Sequence, residues 1–194
     1  MAETKNNLPS WAPIAIAGVL ILVVGMWIMG IYNGETIREQ DVYGAWGNVE
    51  VQYQRRFDLI PNLVNVVKGV AGFEQETLTQ LTALRSQWQT QTNVNDRINT
   101  ANQFESTLSK LLVITENYPE LKATQAFQDL MVQLEGTENR ISTERTRYNA
   151  AVGEYNKYIS LIPNSFFLGG NALKPFFESA DGADVVPTVP TDFT

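Results

Sequence analysis

Two hydrophobic patterns share this chain. Residues 14–31, IAIAGVLILVVGMWIMGI, are continuously apolar or glycine, and no charge occurs between Lys5 and Glu35. Coiled into a helix, that run is about 27 Å long at roughly 1.5 Å per residue, close to the hydrocarbon thickness of a bilayer. Trp11 and Tyr32 flank it, where amphipathic rings favour the membrane interface. A cleaved signal peptide has a basic start, a shorter apolar core and a small-residue cleavage site. Here the start carries one lysine and the run is followed by YNGETIREQ, so the reading is an uncleaved span over residues 11–33 behind a short tail, residues 1–10.

Past Glu35 the pattern becomes a repeat of three and four, the signature of helices with one buried face. The first such row is Trp46, Val49, Tyr53, Phe57, Ile60, Val64, Val67 and Ala71. It keeps its phase across Pro61, which predicts a kinked continuous helix, with Gly69 and Gly72 as its stop. Asn33-Gly34 is a candidate flexible point between span and helix. A second helix shows Phe73, Thr77, Leu81, Leu84 and Trp88. A third, with Asn95 as candidate N-cap, shows Ile98, Ala101, Phe104, Leu108, Leu111, Leu112 and Thr115. A fourth, from Glu120 to Ile162, carries Leu130, Leu134, Thr137, Ile141, Arg145, Tyr148, Val152, Tyr155, Ile159 and Ile162, and Pro163 closes it. Gly136 and Gly153 inside it each cost about 1 kcal/mol of helix propensity against alanine, which suggests close approach of a neighbouring backbone.

The predicted fold is therefore all-α: an N-terminal transmembrane helix, then an elongated antiparallel four-helix bundle over residues 34–163 with two long and two short helices. The long pair should project beyond the short pair at one end. Residues 164–194 form a tail rich in glycine, proline and phenylalanine. Phe166, Phe167, Phe176 and Phe177 are too apolar for a free linker, so part of it should pack on the bundle while the last dozen residues move.

Composition then narrows the chemistry. The chain has 194 residues, no cysteine, no histidine and a net charge of −7. Cys/His zinc sites, thiol nucleophiles and the usual neutral-pH base are excluded. The charge argues against nucleic acid as a partner and against the domain lying flat on anionic lipid. Glutamates 74, 76, 116, 138 and 144 do not make a di-metal bundle, which needs Glu-x-x-His pairs. No cofactor, metal ligand set or catalytic residue emerges. Arg55 and Arg56, in RRFDLIPNLVNVVKG, lie roughly 35 Å beyond the span on a continuous helix. One is expected solvated and one paired. Arg145 stands in an apolar row and needs a partner, for which Asp58 and Glu138 are the available acids.

Two long stretches, AWGNVEVQYQRRFDLIPNLVNVVKGVAGFEQETL and QLEGTENRISTERTRYNAAVGEYNKYISLIPNSFF, resemble the signature of the LemA family, and the end resembles its tail (Pro175, Phe176, Phe177, Glu178, then Val189 and Phe193). The resemblance covers Val42 to the last residues. It implies a single-pass protein of the bacterial cytoplasmic membrane, with its bundle in the cytoplasm and no defining enzymatic activity. Motif positions carried over are Arg55, Arg56, Asp58, Pro61, Asn62, Lys68, Glu74, Arg145, Tyr148, Asn149, Tyr155, Asn156 and Pro163. The family often has Tyr and His where this chain has Val70 and Phe73, so no role that needs that histidine applies. The polar subset Arg55, Arg56, Asp58, Asn62, Lys68, Glu74, Arg145, Asn149 and Asn156 forms the candidate interaction set. Asp58, Asn62 and the arginines are expected to contact Arg145, Asn149 and Asn156. The partners this reading implies are the bilayer through residues 11–33, further copies of the chain, and another membrane protein. A self-associating scaffold, an adaptor for a membrane protease and a small-ligand sensor using the layer around Arg145 are the functions it leaves open.

Overall fold

The computed structural model describes residue 9, residues 11–70 and residues 74–177, and among these there is helix and no strand. The described helices are α1 (Ala12–Asp58), α2 (Ile60–Lys68), α3 (Gln75–Thr90), α4 (Val94–Thr115), α5 (Pro119–Lys122), α6 (Gln125–Ser160) and α7 (Asn164–Leu168). The fold class read from the periodicity is the observed one. Ala71, Gly72 and Phe73, and the last dozen residues expected to move, lie outside the described residues.

Helix α1 has 47 residues, so it is about 70 Å long. Its first third presents apolar side chains on every side: Ile14 is 75% and Ile21 72% exposed. Such a sleeve has no place in water, and the helix is long and apolar enough to cross a membrane. From Ile31 onward burial becomes one-sided, through Val42, Trp46, Val49, Tyr53 and Phe57. The pattern of exposure changes while the helix runs on unbroken. Asn33-Gly34, expected as a flexible point, lies inside the helix. Gly34 is there for space. A Cβ on it would collide with the Tyr158 hydroxyl and stand 2.9 Å from its Cζ. That ring is held in place: its hydroxyl donates to the Ile31 carbonyl at 3.0 Å, and the Arg38 guanidinium lies 4.0 Å from its centroid.

The kink at Pro61 is confined to one residue. The Leu59 N–H turns to the Arg56 carbonyl (3.1 Å), and Leu63 resumes the helical pattern onto the Leu59 carbonyl (3.0 Å). Pro61 then occupies the first turn of α2, where its missing N–H leaves no bond unmade. The buried row crosses the kink as Phe57, Ile60, Leu63 and Val67. Leu63 carries it, with Val64 half-buried beside it against the same core.

Three boundaries differ from expectation. Asn93 caps α4, its Oδ1 accepting from the Asn95 N–H at 2.8 Å, so Asn95 is inside the helix. The fourth long helix does not start at Glu120. α5 is a single turn, and α6 begins after Thr124, whose hydroxyl accepts from the Phe127 N–H; a threonine competing for local backbone bonds interrupts a helix in this way. Ile162 drops out of the buried row and stands 76% exposed beyond the end of α6. Nor do the α6 glycines admit a backbone neighbour. A Cβ on Gly136 meets nothing within 4 Å, and one on Gly153 meets only the Phe176 ring, at 4.0 Å.

The antiparallel pair α1 and α6 forms the long frame, with α3 and α4 packed as a hairpin against its distal part. The hairpin's tip reaches α1 where Arg97 pairs with Glu50 and Trp88 meets Trp46 (6.4 Å between ring centroids). Towards the N-terminal span, α1 and α6 project beyond the hairpin as a stalk, joined there by Tyr158 on Ile31 and Tyr155 near Glu35. Replacing Gly34 by alanine forces Tyr158 off Ile31. Overpacking of this kind costs about 1–3 kcal/mol, against about 1 kcal/mol of gained helix propensity. Gly34→Ala should therefore melt below wild type in detergent; an unchanged or raised Tm would remove the close-approach explanation.

Candidate functional site

The centre of the molecule is a seam of rings. Tyr53 and Phe57 from α1, Trp88 from α3 and Phe104 from α4 stack in series: Tyr53–Trp88 5.2 Å, Phe57–Trp88 5.1 Å and Phe57–Phe104 4.3 Å between centroids. They lie at positions the three-and-four repeat places on inner faces, so burial of large apolar area drives the seam. Above it, where the hairpin ends, the frame helices would leave a gap. Phe177 fills it. Its ring stacks on Trp46 (5.9 Å) and Tyr53 (6.2 Å), meets Tyr148 edge-on (5.6 Å), and carries the Arg145 guanidinium 4.7 Å from its centroid.

Phe177 is brought there by an extended strap, residues 171–177, which two asparagines of α6 hold by its backbone. Asn156 donates to the Lys174 carbonyl (2.9 Å) and accepts from the Lys174 N–H (2.8 Å). Asn149 does the same for Phe177, at 2.9 Å in both directions. Between them the Tyr148 hydroxyl donates to the Pro175 carbonyl at 3.0 Å. A side-chain amide has one acceptor and donors on one plane, so each asparagine mimics a neighbouring β-strand. The spacing explains the choice. Seven helical residues rise about 10.5 Å, and three extended residues span about 10 Å, so Asn149 and Asn156 match Phe177 and Lys174 with the strap running antiparallel to α6. Lys174 adds an ion pair to Glu39 of α1 (2.7 Å) and stands over the Tyr43 and Tyr155 rings. The Lys174 hydrogen bond, opposed by burial, holds the Glu39 carboxyl below its ordinary range. For Lys174, burial works downward but Glu39 prevails and raises its pKa.

A second polar group sits deeper. Arg56 is 5% exposed, and its Nη1 meets Glu105 of α4 at 2.8 Å and also pairs with Glu138 of α6. A buried charge needs such partners, and here one cation ties three helices together. The Glu105 carboxyl is pushed from an ordinary 4.5 up to about 7; burial is the main cause, with Glu138 adding and Arg56 opposing. Burial likewise pushes the Tyr53 phenol far up.

The sequence-derived set divides accordingly. Arg55 is exposed and Arg56 is buried and paired, so Arg56 is not available to an outside partner. Asp58 is exposed and accepts from Gln54 on its own helix (2.8 Å). Asn62 and Lys68 are exposed on α2, Lys68 beside an open groove lined by Val64, Gln75 and Leu78. Glu74 lies at the start of α3, 3.6 Å from Lys110. The expected cluster of Asp58, Asn62 and the arginines with Arg145, Asn149 and Asn156 does not form. Asn149 and Asn156 face the strap, about three and five turns nearer the span than Glu138, which marks the level of Arg56. Arg145 takes neither acid: it donates to Asn102 of α4 (3.2 Å) and lies over the Tyr53 and Phe177 rings. Glu138 lies about two turns from Arg145 along α6 and is committed to Arg56. Sequence reading missed Glu105, Asn102 and Lys174. Glu105 carried a usable signal, because it adjoins Phe104 at the edge of a buried face.

An all-helical bundle, strapped by its own C-terminal segment and carried on a helix able to cross a membrane, defines a class of membrane-associated helical protein. The chain belongs to the LemA family, whose sequence model matches residues 45–190. It is similar to magnetosome protein MamQ 2 of Paramagnetospirillum magneticum, 24% identical over 98% of this chain and 82% of that protein. It is also similar to magnetosome protein MamQ of Magnetospirillum gryphiswaldense (23%; 68% of this chain, 58% of that protein) and to protein LemA of Metamycoplasma hominis (24%; 72% and 65%).

Two outcomes follow from this geometry. Phe177→Ala leaves a cavity among rings and should cost about 3–5 kcal/mol. Asn149→Ala frees the same strap residue, so the double variant should lose little more than Phe177→Ala alone. Fully additive losses in denaturant titrations would show that asparagine and ring act independently. The second concerns pH. The folded chain keeps the Glu105 proton to higher pH than the unfolded chain does, so this group's stabilisation is complete below 4.5 and is lost as pH rises through about 7. Replacing Glu105 by glutamine should flatten that part of the pH dependence of Tm between pH 5 and 8. An unaltered slope would assign it to other groups.

Proposed function

We propose that this chain is a non-enzymatic, single-pass membrane-anchored scaffold that associates with copies of itself and contributes to organising or remodelling the membrane, with its bundle on the cytoplasmic side. The observation that carries this reading is the outer face of α1. Gly30, Ile37, Gly44 and Val51 follow one another at intervals of seven, all exposed, with Ile37 61% and Val51 49% exposed. A Cβ on Gly30, Gly44 or Gly47 would meet nothing within 4 Å. A straight, small-and-apolar stripe pointing away from its own bundle suits the knob-and-hole packing of a second helix. It starts inside the apolar run and continues into the aqueous part, so copies could align along both. A rigid anchored rod of this kind needs no catalytic group, and its relatives support a role at a membrane. The net charge of −7 limits unspecific association elsewhere on the surface.

The adaptor reading has one observation in its favour. An open groove of about 740 Å³ lies at the distal end, between Val66 and Val70 and the Pro119–Leu121 turn, where a second membrane protein's soluble part could rest. The cysteine-free chain makes the two readings separable. Gly44→Cys should cross-link copies in native membranes under mild oxidant, and Glu154→Cys, exposed on α6, should not. Monomers throughout for Gly44→Cys would overturn self-association through α1 and favour the adaptor.

A further inference from the structure

We infer that the corner formed by the end of α6, the Leu161–Pro163 turn and α7 is a second membrane contact, inserted at the boundary between headgroups and acyl chains beside the α1 span. This rests on the anchor reading above.

Depth comes first. The corner is fixed to α1 at residues belonging to the apolar run. Phe167 packs edge-on against Trp27 (6.0 Å, 87°), Tyr32 donates weakly to the Phe167 carbonyl (3.5 Å), and Tyr158 donates to Ile31. Trp27 lies five residues inside Tyr32, about 7.5 Å deeper along the helix. If residues 14–31 are in lipid, α7 cannot be wholly in water. Interfacial segments bury their apolar faces by about 5–10 Å, which is the same range.

Chemistry agrees with depth. From Tyr158 to Leu173 no residue is charged, the longest uncharged stretch after Glu35. The gap faces the corresponding gap in α1, whose first charges are Glu35, Arg38 and Glu39. The bounding charges, Lys157 and Lys174, fall at that same level, with Lys174 bonded to Glu39 and Asn171 donating to Glu35 (3.1 Å). Two segments far apart in sequence thus lose their charges at one plane across the stalk.

Exposure completes the case. Ile162 is 76%, Phe166 79% and Leu161 52% exposed, while Leu168 on the other side of α7 is buried against the stalk. A short helix with one side buried and the other side this apolar is stable only if something apolar covers it. A bilayer is already at that height. The patch is too short to be a span and is joined to the span, so lipid is the occupant that continuity favours over a second copy.

The test uses the full chain in liposomes with single cysteines carrying an environment-sensitive fluorophore, and lipids bearing a quencher near the headgroup or deep in the acyl chain. Phe166→Cys and Ile162→Cys should lose most of their emission to the shallow quencher and little to the deep one. Ile21→Cys, within the span, should be quenched most strongly by the deep one, and Gln80→Cys, on α3, by neither. Quenching at Ile21 without quenching at Phe166 and Ile162 would overturn the second contact while leaving the anchor standing. Absence of quenching at Ile21 as well would overturn the anchor, and the inference with it. Emission at Phe166 that is shielded from water, unquenched by lipid and dependent on protein density would assign the patch to a second copy and likewise overturn the proposal.

Discussion

A single helix that must satisfy two solvents is the constraint from which the rest follows. Inside a bilayer every backbone N–H and C=O must be bonded within its own segment, so α1 cannot break before it reaches water. Having left the apolar run, it has no reason to break either, and it delivers its buried row to the bundle in a register set by the span. The step from all-round apolar surface to a one-sided row occurs around Ile31. Among the described residues, three elements cover that row: α6 along its length, the α3–α4 hairpin over the distal part, and the strap over the part the hairpin does not reach.

The two polar devices divide the work of fixing this arrangement. Hydrophobic rows alone leave helices free to slide by a turn, because a 3.6-residue repeat packs almost as well one turn along. Arg56 removes that freedom in the distal bundle, since only one register brings both Glu105 and Glu138 to its guanidinium. Asn149 and Asn156 remove it in the stalk, since the strap's backbone groups are met at two points or not at all. The strap in turn ties α6 back to α1 through Lys174 and Glu39. Phe177 ends the strap at the bundle's ring seam, with Arg145 over one side of its ring and the Asn149 amide bonded to its backbone.

Much of this was legible in the residues. Long rows with unbroken three-and-four spacing identified α1, α3, α4 and α6 because burial of one face dominates every local preference over such lengths. Boundaries were less legible because they depend on competing local bonds: Asn93 and Asn95 are both good caps by type, and only the fold selects one. The expected partners of Arg145 failed for a different reason. For Asp58 the pairing was inferred between helices whose relative height is unknown from sequence, and Glu138, two turns from Arg145 on the same helix, is taken by Arg56, which leaves Asn102 of α4 as the partner. The asparagines stood among the motif positions, but nothing in a helical pattern shows that their partner is extended backbone from the tail. The seven-residue spacing contained that information, and only against a second, extended segment does it become readable.

The proximal corner changes what the molecule can do mechanically. A rod held by one span is free to tilt, and α1 extends about 39 Å from Tyr32 to Asp58. A tilt of some 15° would move its far end by about 10 Å, a displacement that follows from that length alone. Copies packing through the outer stripe of α1 need their axes held nearly parallel, or the stripes diverge within a few turns. A second point of lipid contact, offset to the α6 side, resists that tilt in one direction. Together, the proposed contact and the proposed packing of copies would give an assembly two unequal footprints, a deep helix and a shallow wedge. A wedge confined to one leaflet expands that leaflet relative to the other, so an ordered array of such rods would impose curvature of one sign, and its strength would grow with packing density rather than with any reaction the protein performs.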